Sequence, residues 1–317
     1  MKNILLFADP GIDDSIAIMY ALLHPEINVT GIVTGYGNVD KEHATNNVAY
    51  LLKLANREDV PIIGGATRPM TGDFPTFYPE IHGPEGLGPI RPPDEFTGTL
   101  DNISIIFDII NKYPDLTIVD VGRKTSLAIA YLLNSDEINN INEFYIMGGA
   151  FLVPGNVTPY AEANFYGDPL ASQIIVQNLS NVIIVPLNVS NKAIVTMDVV
   201  EEIQKASNNP LIELLDEVME YYINAYKKII PEINGAPLHD VLTLSLLMNT
   251  EMGRSISRDV TLNEEEPAKG QSLADFRIGS ERSKKGTEIY LDFDYSKFLN
   301  DFINIMSSPL QKDKKKE

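Results

Sequence analysis

The chain has no cysteine and no tryptophan. The first absence removes disulfide frameworks, thiolate zinc sites and cysteine nucleophiles together. Positive charge is also scarce: 25 Lys and Arg face 44 Asp and Glu, a formal net charge of −19 over 317 residues. Such a surface repels phosphate-rich polymers, so no nucleic-acid partner is expected, although converging carboxylates still suit a local cation site. No stretch approaches the roughly 18 apolar residues of a membrane span, so no membrane partner is expected. Asn3 to Ala8 carries only a five-residue apolar run with acids directly behind it, which reads as a buried strand and not an export signal. The expected location is cytoplasmic.

What is present is a 44% hydrophobic chain of ordinary globular composition. Candidate strands are Asn3–Ala8, Val29–Thr34, Val60–Ile63, Thr117–Val121, Glu143–Met147 and Val182–Pro186. They are apolar on both faces, as buried parallel strands are. Between them lie expected helices at Ser15–Leu23, Lys41–Asn56, Leu100–Lys112, Ser126–Leu133 and Pro169–Asn178. The alternation implies an α/β fold: an open, doubly wound, mostly parallel sheet with helices on both faces. Further helices are expected at Pro210–Tyr226 and Asp240–Asn249, and an antiparallel accessory ribbon from Asp259–Leu262 and Glu288–Phe293. Residues 67–98 are rich in Pro and Gly, a long loop of the functional kind. We find no repeat or linker, so residues 1–308 are expected to form one domain, with 309–317 a Lys-rich frayed tail.

The first strand ends in Asp9-Pro10-Gly11-Ile12-Asp13-Asp14-Ser15, with three carboxylates in six residues at a helix start. One acid there is ordinary capping, but three in a partly buried crevice repel one another by several kcal/mol, as an order of magnitude, unless a cation or a proton intervenes. A bound metal is the simpler answer. Other strand ends carry Gly37-Asn38, Gly64-Gly65, Gly122-Arg123-Lys124-Thr125 and Gly148-Gly149, which together supply one rim where ligands sit in open α/β sheets. Asn156, Glu162 and Asn164 add two amides and an acid within nine residues, a set able to bind vicinal hydroxyls as a sugar requires. Of four histidines, His24 and His43 read as structural or solvated. His82 lies in the Pro/Gly-rich segment, and His239 stands beside Asp240, a fourth acid able to join the cluster.

These residues resemble the inosine–uridine-type nucleoside hydrolases. The opening acidic signature is followed, in order, by Gly37-Asn38, His82-Gly83, Thr125, Met147-Gly148-Gly149, Gly155-Asn156, Glu162, Asn164, Asp168-Pro169, His239-Asp240 and Lys269-Gly270-Gln271-Ser272, to about Asp275. The resemblance implies an enzyme of nucleoside salvage that cleaves the N-glycosidic bond of a small-molecule ribonucleoside, working as a homodimer or homotetramer. It implies Ca²⁺ held by Asp9, Asp14, Asp240 and the main-chain carbonyl of Thr125, with Asp13 taking a proton from the metal-bound water. Asn38, Met147, Asn156, Glu162 and Asn164 would hold the ribose, His239 would serve the leaving base as general acid, and His82 would lie near the base in a closing loop. Departures from the pattern are Arg123-Lys124 and Ser126 where Pro-Leu and Asn are usual, Ala163 where an aromatic is usual, Ala8 in place of a polar residue and Ser15 in place of Ala. The lack of Trp speaks against the purine-specific branch, which stacks its base on indoles. A receiver domain is disfavoured by length and by Ile62-Ile63-Gly64-Gly65, which lacks the acid it needs. A non-catalytic Ca²⁺-dependent nucleoside or sugar binder remains the alternative.

Overall fold

A computed structural model describes residues 1–93, 100–280 and 286–310. The strands are β1 (Lys2–Ala8), β2 (Ile27–Thr34), β3 (Ile62–Gly64), β4 (Thr117–Asp120), β5 (Glu143–Met147), β6 (Val182–Val185), β7 (Ile194–Val195), β8 (Ala236–Pro237), β9 (Gly253–Arg258), β10 (Val260–Leu262), β11 (Ser272–Ala274) and β12 (Thr287–Phe293). Eight of them form one sheet in the order β3-β2-β1-β4-β5-β6-β12-β9. All its pairings are parallel except that of the edge strand β9 with β12. Strand β1 shows why the sheet is buried on both sides: Ile4, Leu6 and Ala8 join one core cluster while Leu5 and Phe7 join the other. That is the two-residue period of a strand with helices on each face.

The strand order reverses between β1 and β4, so the two connections leaving their carboxyl ends run to opposite faces and open a crevice there. Helix Ile12–Leu23 follows β1 directly and begins three residues before the expected Ser15, which places Asp13 and Asp14 in its first turn. Every residue of this helix is buried, including Tyr20, whose hydroxyl donates to Asp301 at 2.6 Å. Helix Pro210–Ile229 lies over the crevice with a buried stripe running through Leu211, Leu215, Val218, Met219 and Tyr222. The short pair β7–β8 delivers the chain to helix His239–Met248, whose first residues reach the same crevice.

Two expectations are corrected. No single accessory ribbon forms: β10 pairs with β11, whereas β12 enters the main sheet between β6 and β9. Ile289 and Tyr290 are consecutive and both buried, which is the mark of a strand covered on two faces and not of a half-exposed ribbon. The helix expected from Leu100 begins at Ile105, because residue 101 instead extends the sheet edge, with Gly64 N–H donating to the Asp101 carbonyl at 2.9 Å. Helices Met197–Ala206 and Tyr295–Met306 and strands β9 and β11 were not anticipated. Residues 94–98 of the Pro/Gly-rich segment and 311–317 of the expected tail lie outside the described residues. Among the described residues no helix is long and apolar enough to cross a membrane.

Asn209 caps helix Pro210–Ile229 by accepting from Leu211 N–H at 3.0 Å and Ile212 N–H at 3.2 Å. Asn209→Ala should lower stability by about 1 kcal/mol, the usual worth of such a cap. Urea unfolding checks this: the midpoint should fall at constant m-value.

Candidate active site

A cavity of about 700 Å³ opens at the β1/β4 crevice. Asp13, Asn38, His82, Met147, Asn156, Glu162, Asn164, His239 and Asp240 all line it, so residues from distant parts of the chain meet in one place. Asp9, Asp14 and Thr125 are absent from its wall and lie buried behind it, each about 1% exposed.

The acids are tied together by main-chain and amide donors. Asp9 N–H donates to Asp14 Oδ1 at 3.1 Å, and Asn38 reaches both acids, with its N–H 3.1 Å from Asp9 Oδ2 and its Nδ2 2.8 Å from Asp14 Oδ2. This approach is possible because residue 37 is glycine: a Cβ there would overlap the Asp9 carboxylate. Asp13 Oδ2 accepts from the N–H groups of His239 at 2.9 Å and Asp240 at 3.4 Å, at the start of helix His239–Met248. Its other oxygen, Oδ1, is buried without a hydrogen-bond partner. Burial pushes the carboxyls of Asp9, Asp13 and Asp240 well above their ordinary range and raises Asp14 as well. The charge of Asp14 adds to the rise at Asp9 and Asp13, and the charges of Asp13, Asp14 and Asp9 add to that at Asp240.

That surplus of buried negative charge, an orphaned carboxylate oxygen and an all-oxygen donor set fit a hard divalent cation. Among the described residues, however, no three His, Cys, Asp or Glu side chains already stand as ready ligands of one ion. The Asn38 amide lies between Asp9 and Asp14 instead. The side chain of Thr125 is committed elsewhere, donating to Asp168 Oδ2 at 2.7 Å and sharing a 3.0 Å hydrogen bond with the Tyr36 hydroxyl.

Both histidines are held neutral near pH 7 by desolvation, His82 at about 3 and His239 at about 4, unlike the freely titrating imidazole expected of an acid. His82 lies at the end of the short helix Pro79–His82, and its Nδ1 accepts from Ile12 N–H at 3.1 Å, which anchors it to the start of helix Ile12–Leu23. His239 Nδ1 meets Ser190 Oγ at 2.8 Å, and its Nε2 meets the Tyr226 hydroxyl at 3.2 Å. Tyr226 packs edge-on against Tyr222 at 5.0 Å, and Tyr222 lies 5.7 Å from the His82 ring. These tyrosines were missed because their four-residue spacing on an amphipathic helix reads as core, though the same spacing also marks one shared face.

The expected sugar ligands are partly engaged already. Glu162 caps helix Ala163–Gly167, its Oε1 accepting from Asn164 N–H at 2.7 Å and its Oε2 from Phe165 N–H at 3.1 Å and Gly149 N–H at 2.9 Å. Asn156 Oδ1 accepts from Ala163 N–H at 3.0 Å, and Asn156 is exposed at the cavity mouth. Asn164 uses both ends of its amide, with Oδ1 2.5 Å from Arg123 Nη1 and Nδ2 2.8 Å from the Val121 carbonyl. Arg123, a departure from the family pattern within the expected rim segment 122–125, lines the cavity although no role was expected of it.

Three comparisons bear on this site. A family model described as inosine-uridine preferring nucleoside hydrolase matches residues 4–300. Similar proteins include pyrimidine-specific ribonucleoside hydrolase RihA of Citrobacter koseri, 31% identical over 301 residues, covering 94% of this chain and 95% of that one. Probable uridine nucleosidase 2 of Arabidopsis thaliana is 34% identical over 254 residues, covering 77% of this chain and 76% of that one. Among solved structures, a plant nucleoside hydrolase, the PpNRh1 enzyme, superposes with a TM-score of 0.90 at 27% identity, covering 97% of this chain and 99% of that one.

Beneath the site Lys124 Nζ donates to Asp120 Oδ1 at 2.7 Å and to its carbonyl at 2.8 Å, with neither side chain exposed. Lys124→Met strands the Asp120 carboxylate and should cost about 3–5 kcal/mol of stability. Adding Asp120→Asn should recover part of the loss, because no uncompensated charge then remains. Denaturant unfolding of the two variants decides; an unchanged midpoint for Lys124→Met would exclude a structural role for the pair.

Proposed function

The chain belongs to the inosine-uridine preferring nucleoside hydrolase family, and from that premise we propose that it hydrolyses ribonucleosides to free base and ribose, with uridine the first substrate to test. The choice of uridine follows the relatives named for uridine and for pyrimidine ribonucleosides. The observation that carries the reading is Asp13: its Oδ2 is fixed by two main-chain N–H groups while its Oδ1 lacks a partner, and the residue lines the cavity.

In this reading the sugar lies against Asn38, Met147, Asn156, Glu162 and Asn164, and the base lies against Tyr222, Tyr226 and the apolar wall of Ile81 and Ile229. Asp13 Oδ1 takes a proton from the attacking water as its oxygen adds to C1′. The C1′–N bond breaks through an oxocarbenium-like state. Negative charge growing on the departing base raises the proton affinity of its surroundings, and His239, coupled to Tyr226, supplies the N–H that meets it. His82 stiffens the wall on the base side from its anchor on Ile12.

Asp9, Asp14, Asp240 and the Thr125 carbonyl would hold Ca²⁺, a choice supported by oxygen-only donors and by raised carboxyls that a cation would return to the ionised state. When bound, the ion supplies Lewis acidity toward water and extra coordination positions for vicinal hydroxyls. One domain over residues 1–308 is supported by the sheet, in which strands from both halves of the chain pair side by side.

Base release from a ribonucleoside panel tests the activity; binding without release would favour the non-catalytic alternative. Asp13→Ala should lower kcat by at least about 100-fold, because the interaction lost belongs to the transition state. Exhaustive chelation should lower the melting temperature and stop turnover, with Ca²⁺ restoring both. Unchanged melting after chelation would reject the metal. His239→Ala should slow uridine far more than p-nitrophenyl riboside, whose phenolate departs with little help; equal slowing would remove His239 from leaving-group duty.

A further inference from the structure

We propose that Arg123 is a specificity-determining residue that donates directly to the hydroxyl rim of the substrate's sugar, supplanting the amide of Asn164 in that task. The inference rests on the hydrolase reading and goes beyond it, since Arg123 stands where the sequence pattern offers no charged group.

Asn164 is the expected sugar ligand, yet its Oδ1 is taken by Arg123 Nη1 and its Nδ2 by the Val121 carbonyl, with Met147 Sδ and carbonyl oxygen at 3.3 and 3.4 Å. An amide with both ends engaged has little left to offer a ligand. Arg123 is in the opposite position. A guanidinium carries five N–H donors. Its Nη1 holds Asn164, its Nε lies 3.8 Å from Asp9 Oδ2, and its carbon faces the Tyr78 ring at 5.7 Å. None of its nitrogens is among the sealed, unpartnered polar atoms of the described residues, although the side chain is only 3% exposed. Arg123 lines the cavity, and its only side-chain hydrogen bond among the described residues is the one to Asn164, so donors remain on a residue that a ligand in the cavity would meet. Its stem is fixed from behind by Gly167, where a Cβ would overlap Arg123 Cδ and Nε.

The surroundings set the class of ligand. Asp9 and Glu162 both act on the guanidinium by charge, so a phosphate or carboxylate brought to Arg123 would also face two carboxylates. Neutral hydroxyl oxygens meet no such penalty and gain a charge-assisted hydrogen bond. A fixed cation beside C1′ would oppose the positive charge developing there, so the guanidinium must serve the sugar away from the reacting carbon. Its contribution then falls on binding more than on the chemical step.

The test is calorimetric titration of D-ribose into the metal-loaded parent, Arg123→Met and Arg123→Lys, alongside uridine kinetics and melting temperatures. Methionine keeps much of the stem without the donors. The ribose Kd should rise roughly ten-fold or more in Arg123→Met, the worth of one charge-assisted hydrogen bond. It should rise less in Arg123→Lys, which keeps the charge without the fork. The uridine KM should rise with it while kcat changes less. An unchanged ribose Kd in either variant overturns the proposal, as does a parent that binds no ribose. Should Arg123→Met fail to fold, Arg123→Lys alone decides. Tighter binding of uridine 5′-monophosphate than of uridine, lost in Arg123→Met, would also overturn it in favour of an anion site. Base release by the parent is a separate readout, so a failed Arg123 proposal leaves the hydrolase reading standing.

Discussion

Four carboxylates buried together at the point where the strand order reverses are the constraint on which the rest of the site depends. Desolvation pushes them all toward the neutral form, and the charge of neighbouring carboxylates adds to the rise at Asp9, Asp13 and Asp240. Main-chain N–H groups and the Asn38 amide hold Asp9, Asp13 and Asp14. Helix Ile12–Leu23 and helix His239–Met248 both begin at the cluster, and N–H groups at the second of these starts fix Asp13. The fold can deliver these helix starts to one place because the connections leaving β1 and β4 diverge.

Two adjacent cations answer the same charge in different ways. Lys124 is fully buried and pairs with Asp120 below the cavity, where it has no access to a ligand. Arg123 turns to the cavity side and touches Asp9, Asn164 and Tyr78. One chain position thus separates a group that stabilises the floor from one that shapes its surface. Lysine suits the first role as a compact point charge, and the planar fork of arginine suits the second.

Much of this was legible in the residues. The six leading strands declare themselves as short apolar runs, and three acids after the first of them already demand an explanation beyond capping. The places where the reading failed share a physical cause, dependence on a partner distant in the chain. Strand β12 looks like half of a ribbon until β6, about 100 residues earlier, is seen beside it. Tyr222 and Tyr226 look like core until His239 is brought to the Tyr226 hydroxyl. Asn164 carries the residue type a sugar needs, but its amide is claimed by Arg123, 41 positions away, which no local pattern announces.

The cavity lining mixes two kinds of surface, and the proposed substrate placement gives each a different part in selectivity. One kind is polar, with Asp13, Asn38, Glu162 and Arg123; the other is Tyr222, Tyr226 and isoleucines, which offer area and a single hydroxyl–imidazole pair. Apolar walls discriminate weakly, because a ligand group more or less changes binding by only about 1–3 kcal/mol. A site whose buried polar groups need partners penalises a missing hydroxyl far more, since the group left behind is then both desolvated and unpaired. If the sugar meets the polar groups and the base meets the tyrosines, as proposed, the sugar is the stringently read half of the substrate and the base the permissive half.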